Sequence, residues 1–127
     1  LWHVESAVAF SVLIGTVILF QLMLALGMPW GSMAMGGRYP GRFPPAMRAA
    51  AVIQIAILAA LALIVLSAAG LMLPQWQAFS RSAIWFVVAF SIVATLLNLI
   101  TKSVWEKRIW APVSILMLVT SVIVAIG

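Results

Sequence analysis

The chain has 127 residues, 66% of them hydrophobic and only 7% charged, and a net charge of +5. A soluble domain carries about a quarter charged residues, so lipid rather than water must surround most of these side chains. The only acids are Glu5 and Glu106, His3 is the lone histidine and cysteine is absent, which excludes disulfides, thiolate metal sites, a bis-histidine haem, catalytic triads and carboxylate pairs.

The first apolar run covers residues 2–26. A span needs about 20 residues to cross roughly 30 Å of hydrocarbon, and this run is long enough. It is also too long for a signal peptide and lacks a basic start, so it reads as structure. Ala7, Ser11 and Gly15 recur every four positions on one face, a spacing that lets two helix backbones approach in lipid.

Residues 27–45 break the pattern. Gly27, Gly31, Gly36, Gly37 and Gly41 alternate with Pro29, Pro40, Pro44 and Pro45, so no regular helix can form. Arg38 and Arg42, with Arg48 just beyond, thread through it together with Trp30, Tyr39 and Phe43. We read it as the structured connection of a membrane helical hairpin. Met28, Met33 and Met35 suggest interfacial packing rather than a thioether copper site. The glycines are followed by no Gly-Lys-Ser/Thr, so they form no phosphate loop.

A second span is predicted over 46–70, with prolines at its start and Gly70 at its end. Ala56 and Ala60 share one of its faces. A short connection follows, with Pro74 as breaker. The third span is predicted over 81–100, with Ser80 as its N-cap. The fourth is predicted over 104–126. Ser103 and Glu106 fit a capping box at its start. Pro112 either begins the membrane part or kinks it. The fold class is therefore all-α: a polytopic membrane protein, a single domain over 1–127 built as an antiparallel bundle of four transmembrane helices.

Cations set the expected orientation. Arg38, Arg42, Arg48, Lys102, Lys107 and Arg108 fall on one side and only Arg81 on the other. Cations near span ends stay in the cytoplasm, so loops 27–45 and 101–108 are expected there, with both termini outside a bacterial inner membrane. These cations flank apolar runs, where anionic lipid headgroups attract them, so the partners expected are the bilayer and its anionic headgroups rather than nucleic acid. The six on one side are also candidates for a headgroup or partner contact. Trp30, Trp105 and Trp110 are expected as anchors at the inner boundary, and Trp2, Trp76 and Trp85 at the outer one.

Polar side chains inside hydrocarbon are the sharpest functional hints. Gln21, Gln54, Asn98 and Ser114 fall at one level beneath the long loop and form a candidate polar layer between helices. That layer reads either as glue between helices or as part of a ligand or ion pathway. Glu5 and His3 lie at the outer edge of the first span and read as an interfacial pair.

The stretch Gly27-Met28-Pro29-Trp30-Gly31, the pair Gly36-Gly37 and the run Pro44-Pro45-Ala46-Met47-Arg48 carry a pattern that continues through Asn98, Thr101, Ser103, Glu106, Lys107, Trp110 and Pro112. It covers most of the chain and resembles an uncharacterised family of small bacterial four-span membrane proteins. The resemblance implies four spans and a pairing of the long loop with the stretch 98–106, and it implies no activity.

The functional expectation is a non-catalytic membrane protein that serves as an accessory, assembly, lipid-binding or partner-binding subunit, without cofactor or metal. The alternative is a small transporter or channel whose path passes Gln21, Gln54 and Asn98. Such a unit would have to form a homo-oligomer, through Ala7, Ser11 and Gly15. A weaker alternative is a site for a hydrophobic cofactor or quinone.

Overall fold

The computed structural model describes residues 2–127; Leu1 lies outside them. Four helices follow one another: α1 (Trp2–Ala25), α2 (Pro45–Ala68), α3 (Gln77–Ile100) and α4 (Ala111–Ile126). Each of the first three has 24 residues, about 36 Å at 1.5 Å per residue, which exceeds the hydrocarbon thickness. A π-helical turn, Glu106–Trp110, lengthens α4 at its start. All four are long and apolar enough to cross a membrane, as a multi-pass protein requires. No strand occurs among the described residues.

The helices pack in a ring in chain order, and α4 closes back onto α1. The seam between α2 and α3 is the least extensive of the four. Phe10 and Ile14 of α1, Leu61 and Val65 of α2, Ile84 and Val87 of α3, and Val124 of α4 form the main core. Outward faces are apolar as well. Val12 and Phe86 are each 65% exposed, which water would penalise and acyl chains accept.

Helix ends follow local chemistry. Gly27 and Gly70 take left-handed backbone at the ends of α1 and α2. At each, the next residue's N–H reaches back: Met28 to Met23 O at 3.0 Å and Leu71 to Leu66 O at 2.9 Å. This closes a Schellman turn and uses carbonyls that would otherwise lack donors.

One expected boundary needs correction. α3 begins at Gln77, four residues before the predicted start, and a 3₁₀ turn, Pro74–Trp76, leads into it. Pro74 is the first residue of that turn, where its fixed φ suits a helical start, and the left-handed Leu73 supplies the break. Ser80 is therefore an interior residue of α3, 3% exposed, and not its cap.

The fourth helix starts at Val104 as expected, and of the two readings of Pro112 its place at the start of the regular α-helix is the one seen. Pro112 lies in the first turn of α4, directly after the π turn. A proline there has no N–H for the carbonyl of Arg108 and its ring crowds it. The wider π turn takes up one extra residue at that point.

Within the bundle the stripe of small residues meets its neighbours only in part, with Ser11 half-buried. Ala7 is fully buried, but Gly15 is exposed and a Cβ built there meets nothing. Ala56 and Ala60 also face outward.

Candidate functional site: a roofed cavity at the loop end of the bundle

The glycine- and proline-rich connection folds onto the bundle as a roof. Gly31 donates its N–H to Gly41 O at 2.9 Å, which closes a compact loop. Only glycine fits there: a Cβ on Gly31 would lie 1.8 Å from Tyr39 O. Ala34 and Phe43 are buried against Phe20 and Leu24 of α1 and Ala51 of α2, and they form a second, smaller core. The loop thus gains the apolar burial that holds compact Ω-type loops in place.

Two arginines, Arg42 of the loop and Arg48 near the start of α2, reach the carbonyls at and just beyond the end of α1. Arg42 donates from Nε to Gly27 O, and Arg48 donates from Nε to Ala25 O, each at 2.8 Å. A cation at a helix C-terminus meets the negative end of the helix dipole, an effect of about 0.3–1 kcal/mol. Arg42 and Arg48 thus serve as caps; Arg48 is half-buried, while Arg42 is still exposed. Arg38, Lys102, Lys107 and Arg108 remain exposed.

The roof is also fastened to the start of the fourth span. Ser103 donates from Oγ to Ser32 O at 2.6 Å and accepts the N–H of Glu106 at 3.2 Å. That is the forward half of a capping box. The reverse half is replaced, because Thr101 Oγ1 takes the Ser103 N–H at 3.1 Å. The Glu106 carboxylate is thereby free for the loop and accepts the Gly36 N–H at 3.3 and 3.5 Å. Three consecutive residues there, Met35, Gly36 and Gly37, have positive φ, and Met35 at +52° is strained for a side-chain-bearing residue.

Beneath the roof lies a cavity of about 750 Å³, within the range of small-molecule sites. Gln21, Gln54, Asn98 and Ser114 all line it. They do not form one continuous hydrogen-bonded layer. Asn98 donates from Nδ2 to Ser114 Oγ at 2.9 Å and to Trp110 O at 3.3 Å, which joins α3 to α4. Gln21 and Gln54 are half-buried, and their side-chain amides bond to no other described residue. The bonded pair thus joins α3 to α4, and the two glutamines come from α1 and α2.

The cavity opens sideways. Ala50, Val93, Leu97 and Ile100 line it and are also exposed, so it opens at the loose seam between α2 and α3, and Met35, Gly36 and Arg38 at its roof are exposed lining residues too. Leu58, Phe90 and Met117 form its floor, and beyond them the main core fills the bundle. It is a blind pocket within one bundle, apolar along its walls and polar towards the roof.

The tryptophans divide. Trp2, Trp76, Trp85 and Trp105 are more than half exposed, as interfacial rings should be. Trp30 and Trp110 are not free anchors. Both pack on Phe20, with ring centroids at 6.3 and 4.7 Å, and belong to the second core. A buried Phe20 needs cover on both sides, and these rings supply it.

Sequence reasoning missed Arg81. It donates from Nη1 to Val124 O at 2.8 Å and from Nη2 to Ala125 O at 3.2 Å, and so caps α4 at the far end. The antiparallel order contained the signal, since a cation near the start of one span lies beside the last turn of the next. At that same end His3 touches Gly127, and Glu5 is exposed.

Compared with known proteins, the chain matches no family model, no curated protein and no solved structure.

Proposed function

We propose that this is a non-catalytic, multi-pass protein of a bacterial cytoplasmic membrane that binds a lipid-soluble amphiphile in the pocket between α2 and α3. One observation carries the reading: the polar side chains of the four spans and the folded loop converge on one cavity with exposed apolar residues at the seam between α2 and α3. An apolar chain entering by the seam would meet apolar walls, and its polar end would come to rest below the roof. The blind floor argues against a conduction path through a single bundle. The excess of cations at the roof end supports a cytoplasmic roof with both termini outside. An accessory role beside a larger membrane complex fits the same picture, with the exposed Arg38, Lys102, Lys107 and Arg108 facing headgroups or a partner.

The test is occupancy. The protein is purified in nanodiscs of bacterial lipid and examined by native mass spectrometry beside an Ala94→Trp variant, whose indole would fill the pocket. Wild type should retain a defined lipid-soluble species that the variant loses. Identical adducts on both proteins would contradict the proposal.

A further inference from the structure

We infer that the molecule held in the pocket presents an uncharged carbonyl group, recognised by the side-chain amides of Gln21 and Gln54. This deepens the pocket reading above and rests on it.

The argument starts from unmet hydrogen bonds. Each glutamine amide carries two N–H donors and one acceptor oxygen. Away from water, an amide without a partner costs several kcal/mol, so buried ones are paired. Gln21 and Gln54 lie inside spans and line the same cavity, and their side-chain amides bond to no other described residue. The Arg48–Ala25 bond sets their register. Gln21 is four residues before Ala25 and Gln54 six residues after Arg48, so both lie about one to two helical turns below that bond. Two amides at one level of one pocket are a convergent polar set.

The neighbouring groups define the complement. Asn98 already commits both amide hydrogens, to Ser114 Oγ and Trp110 O, so the open donors are those of the two glutamines and the buried, unpaired indole N–H of Trp110, which lines the same pocket. Unmet N–H groups are rarer in proteins than under-used carbonyls, and the partner they call for is an acceptor. The charged groups of the pocket, Arg38 and Glu106, belong to the roof and are of opposite sign. Nothing ionised faces the glutamine level, so a charged headgroup placed there would be desolvated without a counter-charge. A neutral carbonyl on an apolar body fits. Two sources share that chemistry: the ester carbonyls of a diacyl lipid and the ring carbonyls of a long-chain quinone.

The experiment separates them. Protein in nanodiscs of diether phospholipid, which lacks ester carbonyls, is titrated with the matching diester phospholipid and, separately, with a long-chain benzoquinone. Occupancy is read by native mass spectrometry. One of the two should bind saturably. Gln21→Met and Gln54→Met should each weaken it about tenfold, as expected when one donor to a buried acceptor is lost. If one variant does not assemble, the other decides. Unchanged affinity in the glutamine variants, with loss in Ala94→Trp, would overturn the carbonyl assignment and leave the pocket standing. Failure of both probes to bind wild type, or equal retention of the diether lipid, would also overturn it. Probe binding that survives Ala94→Trp would remove the pocket reading itself.

Discussion

Glu106 and Gly36 are 70 residues apart in the chain, yet the Glu106 carboxylate accepts the Gly36 N–H at 3.3 Å. With Ser103 on Ser32 O, this bond clasps the roof to the fourth span directly above the cavity. The clasp holds down the segment that contains the strained Met35. Glu106→Ala should therefore act locally. Loss of the bond should cost about 1 kcal/mol, and hydrogen exchange should speed up at 35–38 while the amides of α1 keep their protection. Glu106→Gln, which retains an acceptor, should recover part of that protection.

Arg81 should matter more than its position near a helix start suggests. Its two bonds to Val124 and Ala125 carbonyls are charge-assisted and partly buried. Arg81→Gln should cost about 1–2 kcal/mol and should fray the last turn of α4, measurable as faster exchange at 123–127. Arg81→Lys keeps a charge but loses the two-pronged guanidinium, so it should restore only part of the stability.

Gly31→Ala is predicted to be the most damaging single methyl in the chain. Its Cβ would fall 1.8 Å from Tyr39 O and 2.7 Å from Gly41 O, both rigid backbone. The loop closure would have to open, at roughly 3 kcal/mol or more. Thermal unfolding in detergent should shift down, and tryptophan emission should move to the red as Trp30 leaves Phe20. Gly15→Ala, where a Cβ meets nothing, is the neutral control.

Absence of cysteine makes orientation simple to measure. Lys107→Cys at the roof end and Gln75→Cys at the opposite end are both at exposed positions. In intact cells a membrane-impermeant maleimide should label the second and spare the first. The reverse pattern would place the roof outside and remove the orientation argued from the cations.

Much of the architecture was legible before any coordinates, because long apolar runs in a cysteine-free, acid-poor chain leave few alternatives. α1 and α2 end within two residues of expectation, since Gly27 and Gly70 stop helices by a local mechanism. The start of α3 was less legible. Pro74 either breaks or begins a helix, and the choice depends on Leu73 adopting left-handed backbone, which its side chain does not announce. The common level of Gln21, Gln54, Asn98 and Ser114 could be read from span lengths. Which of them bond could not, because that depends on which helices are neighbours in the ring. Trp30 and Trp110 look like interfacial rings by position, and only their shared packing on Phe20 distinguishes them from Trp105. The capping by Arg42 and Arg48 was hidden for a related reason: the acceptors are backbone carbonyls, which every residue carries.

The most direct test of the central claim is nuclear Overhauser contact from the side-chain amides of Gln21 and Gln54 in lipid nanodiscs. Cross-peaks from both amides to protons of a bound lipid-soluble molecule are predicted, with loss of those peaks in Ala94→Trp. Cross-peaks to water alone, or only between the two glutamines, would show that the cavity is a hydrated or self-satisfied gap and would contradict the account.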